Sequence, residues 1–172
     1  MSRSLGSELP GPLQDLLNGR DLGRKVGHAF LLLTVDETGW PRVAMLSAGE
    51  VLATAADEVM VALWPDSNST ANLSRSREAT LVAVVAPESY YIRLRAGRPS
   101  RIKAGTSEPV MFTCHVEEAL SDVVPYAEVT AGIQFRLADG HEAPTLDRWY
   151  AIIKAMRALG GDSGDHAPTA IT

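Results

Sequence analysis

A chain of 172 residues is long enough for one domain with one substantial core, which at this size removes roughly 70% of the unfolded surface from water. Hydrophobic residues at 45%, charged residues at 22%, 14 Gly and 10 Pro form a globular composition that excludes collagen-like and low-complexity chains. The 16 Lys and Arg against 21 Asp and Glu leave a formal charge of −5, the wrong sign for generic nucleic-acid binding, and no apolar run reaches the length that spans a bilayer. A single cysteine, Cys114, excludes an internal disulfide and a multi-cysteine zinc site. Met1 to Pro10 lacks the apolar centre of a signal peptide, so the expectation is a soluble, cytoplasmic protein.

Along the chain, Met1 to Gly6 reads as loose, and Pro10 then precedes Leu13, Leu16 and Leu17 at helical spacing, a short helix ending near Gly19. Ala29 to Val35 is a compact apolar strand, closed by the turn chemistry of Asp36-Glu37-Thr38-Gly39. The chain returns over Pro41 to Thr54 and again over Val59 to Trp64, giving three antiparallel strands before any long helix. Pro65 to Thr70 stops the third strand and offers hydroxyl and amide caps to a short helix through Ala71, Leu73 and Arg75. Thr80 to Ala86 reads as a strand buried on both faces, and in the next strand Tyr90, Ile92 and Leu94 alternate with Tyr91, Arg93 and Arg95. Val110 to Val116 and Ala131 to Leu137 complete about seven strands, within the range of a small closed or partly closed barrel. Leu146, Trp149, Tyr150, Ile153, Met156 and Leu159 then mark an amphipathic helix ended by Gly160-Gly161. Residues 1–160 form one domain and residues 161–172 a flexible polar tail.

The junction Ser67-Asn68-Ser69-Thr70 carries the most chemical information, because a helix start presents unpaired backbone N–H groups and a positive dipole end to an anion. Hydroxyls at Ser67, Ser69 and Thr70 extend that cradle; plain helix capping is the competing reading. Arg42, just after Pro41, can donate a forked pair of hydrogen bonds to a phosphate, and pairing of the second and third strands brings it to the same end of the sheet. A solvated surface arginine is the alternative.

These elements and residues resemble the flavin-nucleotide-binding split barrels related to pyridoxamine 5'-phosphate oxidase. Thr34 to Val43 looks like that family's opening hairpin, and Ser67 to Leu73 like its phosphate-side helix start, over a topology covering about residues 25 to 137. The resemblance implies a mainly β split barrel with flanking helices, six to seven mostly antiparallel strands, and a homodimer with the flavin between subunits. It implies that Arg42 and Ser67, with Asn68, Ser69 and Thr70, hold the phosphate of FMN. The strand Val43-Ala44-Met45 to Ser47 then runs along the rest of the cofactor, with Leu63 and Trp64 nearby. Where the oxidase pattern has lysines this chain has Ser47 and Ser69, and where it has an arginine this chain has Asn68, so binding leans on hydroxyls, backbone amides and the helix end.

The activity so implied is that of an FMN-dependent oxidoreductase acting on an unidentified small molecule. The alternative is a non-catalytic module that binds or senses flavin, a deazaflavin coenzyme or haem. Arg93, Arg95, Arg98, Arg101 and Lys103 could replace the missing charge or stand as a solvated basic hairpin, and Tyr90, Tyr91 and Trp149 could stack on a ring or simply fill the core. His28, His115, His141 and His166 show no metal-ligand spacing, and Cys114 reads as buried and inert. The apolar strands need more cover than the predicted helices supply, which independently points to a homodimer.

Overall fold

The computed structural model describes residues 2–160, so the expected tail at 161–172 lies outside the described residues. The elements in order are β1 (Arg3–Gly6), α1 (Gly11–Leu16), a 3-10 turn (Leu22–Lys25), β2 (Ala29–Val35), β3 (Pro41–Ser47), β4 (Val51–Ala55), β5 (Glu58–Leu63), α2 (Asn68–Ser76), β6 (Glu78–Val85), β7 (Glu88–Ala96), β8 (Ser100–Arg101), β9 (Val110–Asp122) and α3 (Glu142–Gly160). All strand pairings are antiparallel, in the order β3-β2-β6-β7-β9-β5-β4, with β1 and β8 also paired to β9. The sheet curls so that its end strands, β3 and β4, are joined by the tight turn Ala48–Glu50. The result is a mainly β split barrel with flanking helices.

Strand β9 makes the curl possible. Its 13 residues pair with β5 and β1 along one edge and with β8 and β7 along the other. The register with β7 slips between Arg93↔Glu118 and Leu94↔Val116, so Glu117 is an extra residue in β9. A bulge of this kind bends a strand and increases its twist. It also turns Glu117 and Glu118 outward together, where they meet Arg95 and Arg93.

Alternation sorts the side chains. Phe30, Leu32 and Thr34 of β2, Leu81 and Ala83 of β6, and Tyr90, Ile92 and Leu94 of β7 face inward and are buried. The opposite face is not closed: Leu31, Leu33, Val82 and Tyr91 are half-buried, and Val43 and Met45 of β3 stand exposed beside Leu33 and Leu31. The reading of residues 80–86 as buried on both faces is therefore corrected to one buried and one half-covered face.

Four further elements differ from the sequence reading. Met1 to Gly6 is not loose over its described part, because Arg3–Gly6 adds to β9 as a short strand. The return Pro41 to Thr54 is two strands, split where Ser47 donates from its N–H and its hydroxyl to the Glu50 carboxylate at 2.8 and 2.7 Å. Ala131 to Leu137 is not a strand; it runs as a strap beside the start of β2, bridged once at His28↔Gln134 and bonded from Ala29 N to Ile133 O and from Phe135 N to Gly27 O. Tyr150 and Leu159 of α3 are exposed, whereas Trp149, Ile152, Ile153 and Met156 enter the core.

Helix α3 closes the barrel through Trp149, whose indole lies directly on the β3–β4 turn. A Cβ placed on Gly49 would lie 2.0 Å from Trp149 Cγ, so only glycine allows this approach. Gly49→Ala is expected to cost about 1–3 kcal/mol through overpacking and to lower the melting temperature by several degrees. A calorimetric scan showing no change would mean that α3 does not seat on this turn.

Candidate functional site

The β2–β3 hairpin is shaped by one carboxylate. Asp36 Oδ1 accepts from Thr38 N at 3.0 Å, Thr38 Oγ1 at 2.7 Å and Trp40 N at 3.0 Å, and Gly39 takes the left-handed φ of +88° that the turn needs. Asp36 Oδ2 lies 3.5 Å from Arg42 Nε, and the Arg42 side chain is about half exposed. The Thr38 hydroxyl, the Trp40 amide and the Arg42 guanidinium together hold the Asp36 carboxyl below its ordinary value of 3.8.

Helix α2 begins with a side-chain cap. Ser67 Oγ accepts from Thr70 N at 3.2 Å and lies 3.0 Å from Thr70 Oγ1, which donates to Trp64 O at 2.7 Å. The hydroxyls of Ser67 and Thr70 are thus engaged in capping, and Ser69 is buried. The helix is pinned to the hairpin further along: Asn72 Nδ2 donates to Thr34 Oγ1 at 3.1 Å in a buried contact, and Arg75 Nη2 donates to Val35 O at 2.6 Å.

These bonds turn one helix face toward the hairpin. Asn68, Ala71, Asn72 and Arg75 recur at helical spacing and, with Asp36, Glu37, Thr38 and Arg42, line a groove of about 430 Å³. The structure therefore brings Arg42 and Asn68 together, while Ser67, Ser69 and Thr70 do not line the groove. Arg75 was not singled out from the sequence, although its spacing from Asn68 carried the signal.

The remaining expected residues do not line this groove. Val43 and Met45 lie on the outer sheet face, 59% and 68% exposed; Ala44 points the other way and is half-buried, and Ser47 is bound to Glu50. Leu63 is buried at the end of β5, and the following Trp64 is half exposed with the Arg148 guanidinium 5.7 Å from its ring centre.

The basic hairpin does not feed the groove. Arg93 pairs with Glu118 at 2.6 Å, and Arg95 with Glu78 at 2.7 Å and Glu117 at 2.8 Å, so that Arg95 holds the Glu117 carboxyl below its usual range. Tyr90 and Trp149 are core residues. Cys114 is buried, and desolvation pushes its thiol up to about 12, which removes the reactive thiolate at neutral pH. Among the described residues no group of three His, Cys, Asp or Glu is placed to hold a metal ion, and no helix is long and apolar enough to cross a membrane. His166 lies outside the described residues.

No family model matches the sequence. The uncharacterized protein YclD of Bacillus subtilis (strain 168) is 33% identical over 145 residues, which cover 84% of this chain and 93% of YclD. Among solved structures, a candidate pyridoxamine 5'-phosphate oxidase from Lactobacillus delbrueckii aligns with a TM-score of 0.53 at 17% identity, over 68% of this chain and 98% of its own. HupZ of Group A Streptococcus aligns with a TM-score of 0.50 at 14% identity, over 72% of this chain and 99% of its own. At these identities the structural likeness is one of fold.

The lowered Asp36 value has a pH consequence. A carboxyl whose folded value lies below its unfolded one contributes stability that is present above the unfolded value and lost as pH falls through the folded one. Acid titration followed by the Thr38 and Trp40 amide resonances is expected to give a midpoint below 3.8, absent in Asp36→Asn. A midpoint at or above that value would show that the turn does not hold the ionised form.

Proposed function

This chain belongs to the same family as YclD and has the split-barrel fold of the pyridoxamine 5'-phosphate oxidase-like proteins, and from that premise we propose that it binds FMN and works as a flavin-dependent oxidoreductase. The observation that carries the reading is the convergence of Arg42, from the β3 end of the hairpin, and Asn68, from the first turn of α2, on one open groove. A forked guanidinium beside a side-chain amide and the positive end of a helix suits a phosphate monoester.

The chain's residues fit such a ligand in parts. Arg42 and Asn68 hold the phosphate, with the backbone of Ser67, Ser69 and Thr70 adding the helix-end field. Val43 and Met45, exposed on the side of β3 opposite Arg42, offer apolar surface to the flat ring system across this edge strand, with the backbone of Ala44 and Ser47 along it, and the half-exposed Trp64 after Leu63 offers more apolar surface before α2. The bound cofactor supplies hydride and electron transfer, so no acid, base or nucleophile is required of the chain. Its residues bind, orient and exclude water.

The outer sheet face completes the proposal. Leu31, Leu33, Val35, Val43, Met45 and Val82 form a continuous apolar surface, exposed at Val35, Val43 and Met45 and half-buried elsewhere, and a second copy of the chain lying on it would bury both the surface and one side of the ring. A second reading, a binding module for flavin, a deazaflavin coenzyme or haem without turnover, is favoured by the commitment of the Ser47 hydroxyl to Glu50 and of the Ser67 and Thr70 hydroxyls to the cap. Those groups are not free to replace the oxidase pattern's cations.

Titration of the apo-protein with FMN, followed by flavin fluorescence, is expected to saturate. Arg42→Ala should weaken binding by about tenfold or more, the loss of a charge-assisted bond on the order of 1.5–3 kcal/mol. Unchanged affinity removes Arg42 from the site, and no saturable binding by the wild type overturns the FMN reading. Saturable binding with no oxidation of reduced nicotinamide by any acceptor favours the second reading. Light scattering is expected to give the mass of a dimer; a monomer would leave the apolar face without its proposed cover.

A further inference from the structure

We propose that Arg75 is the second cation of the phosphate end of this groove and sets the preference for a phosphorylated over an unphosphorylated flavin; this rests on the FMN reading above. A phosphate monoester carries nearly two negative charges at neutral pH. Positions 47, 68 and 69 carry no cation in this chain, and Arg42 alone is a weak match because its Nε already lies 3.5 Å from the Asp36 carboxylate. Asp36 and Glu37 line the same groove and oppose an arriving anion, so a second positive group is needed for the groove to attract one.

Arg75 meets that need by position. It stands seven residues after Asn68, two helical turns along the same face, and lines the groove with Asn68, Ala71 and Arg42. Ala71, between Asn68 and Arg75 on that face, has a side chain too short to fill the space. Asn72 gives a donor to Thr34 and acts as wall.

Arg75 is also uncommitted in charge. It pairs with no carboxylate among the described residues, in contrast to Arg93 and Arg95, each of which is matched by glutamate. Its one bond, from Nη2 to Val35 O at 2.6 Å, uses one of five guanidinium donors. That bond fixes the group in advance, because Val35 is the last residue of β2 and pairs with Pro41, next to Arg42. Both guanidinium groups are therefore mounted on the same hairpin mouth, one from the strand and one across from the helix, and little ordering remains when an anion enters.

The test compares FMN with riboflavin on the full chain by fluorescence quenching, for the wild type, Arg75→Gln and Arg75→Lys. The expected result is that Arg75→Gln weakens FMN binding by about tenfold or more while riboflavin affinity stays within about twofold, and that Arg75→Lys falls between, keeping charge but losing the fork. Unchanged FMN affinity in Arg75→Gln overturns the proposal and leaves the FMN reading standing. Equal losses for both flavins, with a lowered melting temperature, also overturn it, because Arg75 would then serve only to tie α2 to β2. A wild type that binds neither flavin overturns the reading on which the proposal rests.

Discussion

A buried hydrogen bond from the Asn72 amide to the Thr34 hydroxyl ties α2 to β2, and the candidate site depends on that docking. Both residues are almost fully enclosed, so removing either partner would strand a polar group away from water at a cost of about 1–3 kcal/mol. With the Arg75 bond to Val35 it fixes the helix face that carries Asn68, Ala71 and Arg75 opposite the hairpin that carries Arg42. The groove is thus a product of docking, with neither element forming it alone.

Charge is distributed around that docking in two ways. On the outer face, Arg93 and Arg95 are neutralised by three glutamates, two of them brought to the same side by the bulge in β9. At the groove, Arg42 is only partly matched by a carboxylate occupied with the turn, and Arg75 has a carbonyl as its partner. Exposed ion pairs contribute little to stability, so the Arg93 and Arg95 pairs are best understood as discharging a basic strand. Incompletely matched arginines that line one groove are a better platform for an anion.

The curl of the sheet has a second consequence. A nine-stranded antiparallel sheet folded around one core leaves an outer face to be covered, and the helices are spent elsewhere: α2 against the hairpin, α1 and α3 beside β4 and the end of the barrel. Val43 and Met45 are consequently bare beside the groove. The same strand β3 serves the groove through Arg42 and the apolar face through its neighbours, because successive side chains of a strand point to opposite sides.

Much of this was legible in the chain. A compact apolar run marked β2, Asp36 to Gly39 its turn, Ser67 the start of α2 and the Trp149-to-Met156 spacing the last helix, because apolar runs, periodicity, turn chemistry and capping act within a few residues of one another. The motif at Ser67 to Thr70 starts the helix where expected, and of the two readings the sequence allows, capping is the one that the Ser67 and Thr70 hydroxyls take; a hydroxyl that caps its own helix and one that faces a ligand look alike in sequence. Pairing with β9 made a strand of Arg3–Gly6, and the lack of a ladder made a strap of residues 131–137, since both depend on partners more than 100 residues away. Gly49 beneath Trp149, and Arg75 across from Arg42, are contacts between elements distant in the chain. Local chemistry wrote the elements of this protein into its sequence, while the close approach of one element to another decided which side chains share a groove.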